Sequence, residues 1–207
     1  MSLLIRRRAL LSAKGKVLLP KEYQQVEYLQ STGTQYINTK LTNMNGKIEV
    51  DFARNDTTST VYIVGNRKNG VSNTLSTTPT YPMLWQIGQM FLNVDWALDT
   101  NRHKTLVTVS TQQMTLDFDG IFKTLGYGVT VNSLNVYLFS RNNDGASQFG
   151  GGIKIYGFKY WNVYNELSRD FIPCYRKADN KAGMYDLVNG EFYTNNGTGE
   201  FLIGGEV

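Results

Sequence analysis

The chain has 207 residues, enough for one domain with a short appendage, and its 20 Gly, 13 Tyr and 10 Phe with few long helix-forming stretches point to an all-β core. One cysteine, Cys174, excludes an intrachain disulfide and a cysteine-rich metal site, and the lone His103 excludes a histidine-rich one. The net charge of +4 is localised: Arg6, Arg7, Arg8, Lys14 and Lys16 give residues 1–16 a charge of +5, and the remaining 16 basic and 17 acidic residues sum to −1, so the body lacks the basic excess of a specific nucleic-acid reader.

Residues 1–17 read as a basic arm and residues 18–207 as the domain. Arg7-Arg8-Ala9-Leu10-Leu11 imitates a twin-arginine export start. Ser12 to Lys16 stand where an apolar core should follow, so export by that route is not expected. Leu3, Leu4, Ile5, Leu10 and Leu11 around Arg6, Arg7 and Arg8 suit a short amphipathic helix or an extended docking segment. A frayed, solvated terminus and a membrane-surface role are the alternatives. Because aliphatic residues flank the arginines, docking on a protein surface fits better than plain phosphate binding. No stretch approaches the roughly 20 apolar residues of a transmembrane helix.

After Pro20 the text is strand-like. Val26 and Tyr28, then Tyr36-Ile37, flank a turn-rich break at Ser31–Thr34. Lys47–Phe52 alternates, with Ile48, Val50 and Phe52 on one face and Glu49 and Asp51 on the other. Asn45-Gly46 introduces that strand. Val61–Val64 reads as a buried strand and Asn69-Gly70 as a turn. The Ser-, Thr-, Asn- and Pro-rich residues 72–82 read as a loop, with strand resuming at Met83–Phe91. Lys104–Ser110 and Gln113–Phe118 are further strands, the second turning at Asp119-Gly120 into Ile121–Lys123. Leu134–Ser140 is another apolar run, and Arg141–Gly152 reads as a long exposed loop. Gly152–Tyr164 is the longest strand, with a bulge at Gly157. Leu187–Phe192 reads as a type I′ hairpin about Asn189-Gly190. Short strands with turns every 8–15 residues, and no sustained 3.6-residue periodicity, imply an all-β, two-sheet antiparallel sandwich of jelly-roll type.

Three passages carry a family resemblance: Leu19–Ile37, Gly152–Tyr160, and the C-terminal run from Arg169-Asp-Phe-Ile-Pro-Cys-Tyr-Arg176 through Gly183–Tyr193 to Gly197–Phe201. Together they resemble a concanavalin A-like lectin/glucanase module of the laminin-G or pentraxin type. Such modules recur in bacterial surface proteins and in virion proteins of phages that infect gut bacteria. The resemblance covers about residues 18–204 and implies two curved sheets face to face, with the N- and C-terminal strands close together. In that arrangement Phe171, Ile172 and Tyr175 pack under the closing hairpin, Pro173 ends a ladder at an edge, and Arg169 and Asp170 face polar groups at the corner or solvent.

The glucanase branch of this superfamily uses acids in a Glu-x-Asp-x-Glu pattern on one strand face. The nearest match, Glu49-Val50-Asp51-Phe52-Ala53, lacks the third acid, and Asp119 of the Asp117/Asp119 pair is a turn residue. His103 reads as a surface residue in a polar loop without a serine elbow or reactive cysteine, and Cys174 as a buried, inert thiol. Loops bearing Asn142, Asn143 and Asp144, or Asp95 and Asp99, offer oxygen ligands for calcium, but no EF-hand-like spacing accompanies them, and neither a metal nor another cofactor is expected. Carbohydrate binding is the ligand-level function that fits: Tyr81, Trp85 and Trp96 supply stacking surfaces, and Asn93 and Asp95 supply hydroxyl partners. Core placement of Trp85 and Trp96 is the competing reading. The expectation is a non-catalytic virion structural protein on the phage particle surface. Its arm docks on other virion proteins, its homo-oligomeric lectin-like domain adheres to host-surface glycans, and a bacterial cell surface is the alternative location. A purely structural decoration without ligand is the runner-up, and a secreted glycan hydrolase comes third.

Overall fold

The structure, a computed structural model, describes residues 19–110, 112–126, 132–148 and 150–207. The arm assigned to residues 1–17, with Leu3, Leu4, Ile5, Arg6, Arg7, Arg8, Leu10 and Leu11, lies outside the described residues. Among those described there are nineteen strands and no helix.

In chain order, β1 (Tyr23–Gln25), β2 (Leu29–Ser31) and β3 (Ile37–Asn38) are short because the chain turns repeatedly between them. β4 (Gly46–Arg54) buries Ile48, Val50 and Phe52 and turns Glu49 and Asp51 outward, as its alternation requires. There follow β5 (Val61–Lys68), β6 (Val71–Thr77), β7 (Met83–Gly88) and β8 (Met90–Val94). The next group is β9 (Arg102–Val109), β10 (Gln113–Phe118), β11 (Ile121–Gly126) and β12 (Tyr137–Leu138). β13 (Arg141–Asn143), β14 (Ala146–Gln148) and β15 (Ile153–Trp161) lead to β16 (Leu167–Arg176), β17 (Lys181–Asp186), β18 (Glu191–Thr194) and β19 (Leu202–Ile203).

The larger sheet runs β11-β10-β9-β4-β15-β16-β17-β18, with β1 on β16 and β2 between β15 and β19. The smaller runs β14-β13-β5-β6-β7-β8, with β12 joining β5 to β3. Their inner faces close over Phe52, Phe118, Phe158 and Phe171 from one side and Ile63, Leu75, Trp85 and Ile87 from the other, all essentially without solvent exposure. The first and last strands do meet: β19 pairs with β2, and Val26 bridges Glu206.

Turn chemistry sets the register of three hairpins. Asn69-Gly70, Asp119-Gly120 and Asp144-Gly145 each place two consecutive residues at positive φ (49° and 82°, 47° and 86°, 51° and 97°). That is the type I′ signature, whose twist matches the flanking strands. Asn189-Gly190 departs from expectation: only Gly190 has positive φ (71°), and Asp186 pairs with Glu191 across a four-residue loop. The hairpin exists, but Asp186 rather than a type I′ turn organises it. Its buried carboxylate accepts from Asp170 N and Val188 N at 3.0 Å each and from Asn189 Nδ2 at 2.7 Å, with Arg169 Nε 3.5 Å away.

Two segments read as loops are sheet. Residues 72–82 contain most of β6, an interior strand of the smaller sheet. Its fully buried inward positions are Asn73, Leu75 and Thr77, so two of the three are polar and the apolar alternation is missing. The amides are satisfied locally: Asn66 Nδ2 donates to Leu134 O at 2.6 Å, and Asn132 Nδ2 to Val71 O at 3.1 Å. Residues 141–152 contain the β13–β14 hairpin, and Arg141 and Asn142 are buried rather than exposed. The bulge in β15 falls at Ile155–Gly157, as expected. The β15–β16 ladder ends at Phe158–Phe171, before Pro173; Pro173 pairs with Met184 of β17 in the sheet interior rather than lying at an edge. Its carbonyl accepts from Val26 N at 3.0 Å, so its missing N–H faces the gap where β16 passes from β15 to β1.

Candidate functional site

Strand register maps the outer face of the smaller sheet. One cross-strand row runs Tyr137, Gly65, Thr74, Gln86, Phe91, the row beside it runs Tyr62, Ser76, Leu84, Asn93, and the Arg141–Gln148 pair continues the face beyond β5. A third, toward the Asn69-Gly70 turn, holds Arg67, Ser72 and Gly88. The middle of this face is therefore small and hydroxylated, and its two ends carry the large side chains.

At the β8 end, Tyr81 and Phe91 are 40% and 46% exposed, and their ring centroids lie 5.7 Å apart. Tyr81 is placed by the turn in which its N–H donates to Thr78 Oγ1 at 2.8 Å. In the neighbouring row Asn93 Nδ2 donates to Asp95 Oδ1 at 3.3 Å, leaving further acceptor capacity on a solvent-facing carboxylate. The structure thus brings Tyr81, Asn93 and Asp95 to one edge and adds Phe91, which the sequence reading passed over as part of a strand. Its signal was available: Phe91 is out of phase with Leu92 and Val94, so it points outward. Trp85 is corrected. It is 0% exposed in the core and takes no part in this surface. Trp96 is half-buried, packed edge-on to His103 at 4.4 Å and against Phe118 at 4.8 Å.

At the other end, Arg141 lies over the Tyr62 ring, 4.4 Å from its centroid, and is only 7% exposed. Nη2 donates to Gln148 Oε1 at 2.5 Å and reaches Tyr62 OH at 3.4 Å; Nη1 reaches Ser72 Oγ at 3.4 Å. Nε is buried without an acceptor. Burial lowers the guanidinium below its usual pKa; Tyr62 opposes that shift, and neighbouring Arg67 adds to it. Arg54, also buried, differs. Its Nε donates to Asp56 O at 2.8 Å, and its two Nη groups make close contacts with Thr77 Oγ1 and Ser59 O, so every nitrogen has a partner.

The acids on the larger sheet are neutralised. Asp51 makes a bidentate pair with Arg102 at 2.7 and 2.6 Å, and Glu49 lies 3.0 Å from Lys104 Nζ. His103 is buried rather than superficial. Nδ1 is 2.5 Å from Asp119 Oδ2 and Nε2 is 2.8 Å from Asp99 Oδ1, and its ring stacks on Phe118. It clamps the 95–101 loop to the β10–β11 turn. Burial raises the Asp99 carboxyl, and hydrogen bonds from His103 and Asn101 outweigh that effect, leaving it below its usual value. Cys174 is buried, its thiol pushed up to about 12 by burial. Of the oxygens considered for calcium, Asn142 Oδ1 accepts from Gly145 N at 2.9 Å, and Asp144 Oδ1 from Asn69 N at 2.9 Å. Among the described residues no group of three or more His, Cys, Asp or Glu side chains is placed to hold a metal, and no helix is long and apolar enough to cross a membrane. A cleft of about 360 Å³ on the larger sheet, between Asn45–Lys47, Thr108–Ser110 and Asn162–Asn165, is distinct from the Tyr81–Phe91 edge.

Two facing antiparallel sheets of this order define a concanavalin A-like jelly roll. The fold is similar to that of the mouse laminin alpha1 chain, domains LG4-5 (TM-score 0.53, 10% identity, 87% of this chain covered), and the chain spans about half of that fragment (46%). Also similar are the Ruminococcus gnavus IT-sialidase CBM40 bound to alpha2,3 sialyllactose (0.43, 17% identity, 67% of this chain and 90% of that one) and a congerin II single mutant (0.35, 9%, 57% and 97%). No protein-family model matches the chain, and no curated protein matches it in sequence.

Proposed function

We propose that this domain is a non-catalytic glycan-binding module that uses the outer face of the smaller sheet. The observation that carries the proposal is the exposed Tyr81–Phe91 pair bordered by Asn93 and Asp95. Sugar rings stack their C–H faces on such rings while amide and carboxylate groups fix their hydroxyls. Ion pairing of Glu49 and Asp51, beside the missing third acid at Ala53, supports binding without hydrolysis. The wider role we propose is adhesion to host-surface glycans by a phage virion protein, with residues 1–17 docking it to other virion proteins and several copies acting together. A structural decoration without ligand is the second reading, favoured by Ile121 and Phe122, exposed on edge strand β11 where a neighbouring subunit would cover them.

A multivalent glycan array tests the binding reading. The expected result is binding to at least one envelope glycan class, weakened at least tenfold by Phe91→Ala. No binding at high avidity removes the adhesion reading and leaves the decoration. Deletion of residues 1–17 is expected to leave the domain folded and to abolish incorporation into particles; normal incorporation overturns the docking role.

A further inference from the structure

Arg141 is a buried cation without a counter-ion. No Asp or Glu lies within ion-pair distance of it among the described residues, and the remaining residues of the chain contain neither. Its charged neighbour is another cation, Arg67. Removing a guanidinium from water is costly unless an anion or a full set of acceptors replaces the lost hydration. Arg54 shows how this fold meets that requirement with carbonyl and hydroxyl oxygens around all three nitrogens. Arg141 has one short hydrogen bond, two at 3.4 Å and a bare Nε.

The one short bond is to Gln148, on β14, the edge strand of this sheet. Gln148 also donates to Tyr62 OH at 3.3 Å, so a single neutral carboxamide closes the guanidinium off. Its carbonyl occupies the place of an acceptor that an anion would fill better, because a planar guanidinium takes a carboxylate or sulfate through two parallel N–H bonds. Tyr62 and the buried Ser72 are the hydroxyls within reach of the guanidinium, and Ser72 is itself hydrogen-bonded to Thr74.

We propose that Arg141 is the anion-recognition point of this face, so that the module binds acidic glycans, those bearing a carboxylate or sulfate group, with Tyr62 and Gln148 positioning the guanidinium. This rests on the glycan-binding reading above. Displacement of the half-buried Gln148 lets one anionic group pair with Arg141 from the β14 edge of the sheet.

The test is affinity for matched probes on the full chain: sialylated, uronate-bearing and sulfated oligosaccharides against their neutral counterparts, including methyl esters of the same carboxylates. Binding at least tenfold tighter for the acid than for its ester is expected, since hydrogen bonds to a charged partner are worth about one to two decades in affinity. Arg141→Gln is expected to erase that difference while leaving affinity for the ester unchanged, and raised salt is expected to weaken acid binding only. Should Arg141→Gln fold poorly, Gln148→Ala is the second variant: opening the closure raises affinity for acids and leaves the esters alone. Equal binding of acid and ester overturns the role of Arg141 while leaving glycan binding intact. Failure of every probe to bind removes both readings.

Discussion

Asp186 offers the sharpest test of how the C-terminal run closes the fold. It is 0% exposed, yet carries a carboxylate. Oδ1 accepts from two backbone N–H groups, of Asp170 and Val188, and Oδ2 from Asn189, with Arg169 Nε 3.5 Å away. In Asp186→Ala, water reaches Val188 N and Asn189 because both residues are exposed, so those two losses are partly recovered. Asp170 N is not rescued, and the largely covered Arg169 loses its counter-charge while keeping Thr39 O and Ser168 O as acceptors. A hydrogen bond to a charged group is worth about 1.5–3 kcal/mol, and stripping the partner from a buried ion pair costs about 3–5 kcal/mol. The expected loss is therefore about 3–5 kcal/mol, a large share of a typical domain's stability. Asp186→Asn keeps an acceptor for both backbone donors but turns an NH₂ toward Asn189 and Arg169, so about 2 kcal/mol is expected. Urea unfolding followed by tryptophan fluorescence reads both variants, with an unchanged m value as the sign that only stability moved. A loss under about 1 kcal/mol for Asp186→Ala, or equal losses for the two variants, would refute the carboxylate as the organiser of this corner.

Trp85→Ala and Phe91→Ala separate core from surface: about 3–5 kcal/mol of stability is expected to be lost in the first and under about 1 kcal/mol in the second, measured by the same unfolding curves. The Cys174 thiol, raised by burial to about 12, is expected to ignore a thiol-specific chromogenic reagent at pH 8 in the native state and to react fully in denaturant. Tyr193, raised to about 12 by burial and by its hydrogen bond with Glu191, acts in the same sense. Both hold their protons more tightly when folded, so their contribution is complete below the unfolded values of about 8.5 and 10 and is lost as pH rises toward 12; a stability-versus-pH series that stays flat through that window contradicts the assignment. His103→Ala is expected to release the 95–101 loop, red-shifting Trp96 emission and costing about 2–3 kcal/mol; unchanged emission shows that the clamp is not what holds Trp96.

The layers of this fold were legible wherever hydrophobic alternation coincided with a buried face. β4 is the clearest case, and Asn69-Gly70, Asp119-Gly120 and Asn189-Gly190 marked their turns, whereas the hairpin at Asp144-Gly145 was read as a loop. Strand β6 was illegible because its buried face carries Asn73 and Thr77 where alternation demands apolar side chains. Arg141 was illegible for the same reason: next to Asp144-Gly145 and three consecutive glycines it reads as a loop residue, and its burial follows only from the parallel pairing of β13 with β5. His103 sits in a polar stretch, but its carboxylate partner Asp119 is brought across the β9–β10 pairing, a contact no local pattern encodes. At the candidate site Tyr81, Asn93 and Asp95 were recoverable from composition. Excluding Trp85 and finding Phe91 required strand phase.

The two outer faces differ in how they treat charge, and that difference bears on which one meets a ligand. On the larger sheet Asp51 holds Arg102, Glu49 holds Lys104, and Asp170 lies 3.5 Å from Lys159. These three cations have an anion across the strands, while Lys47 and Lys154 lie over the Trp161 and Tyr28 rings; exposed ion pairs of this kind contribute little and leave little field for a partner. On the smaller sheet Arg141 and Arg67 have no such anions, while exposed aromatic rings gather at the far edge. The unpaired guanidinium at one end and the exposed rings at the other are the two features that favour this face for the proposed anionic saccharide.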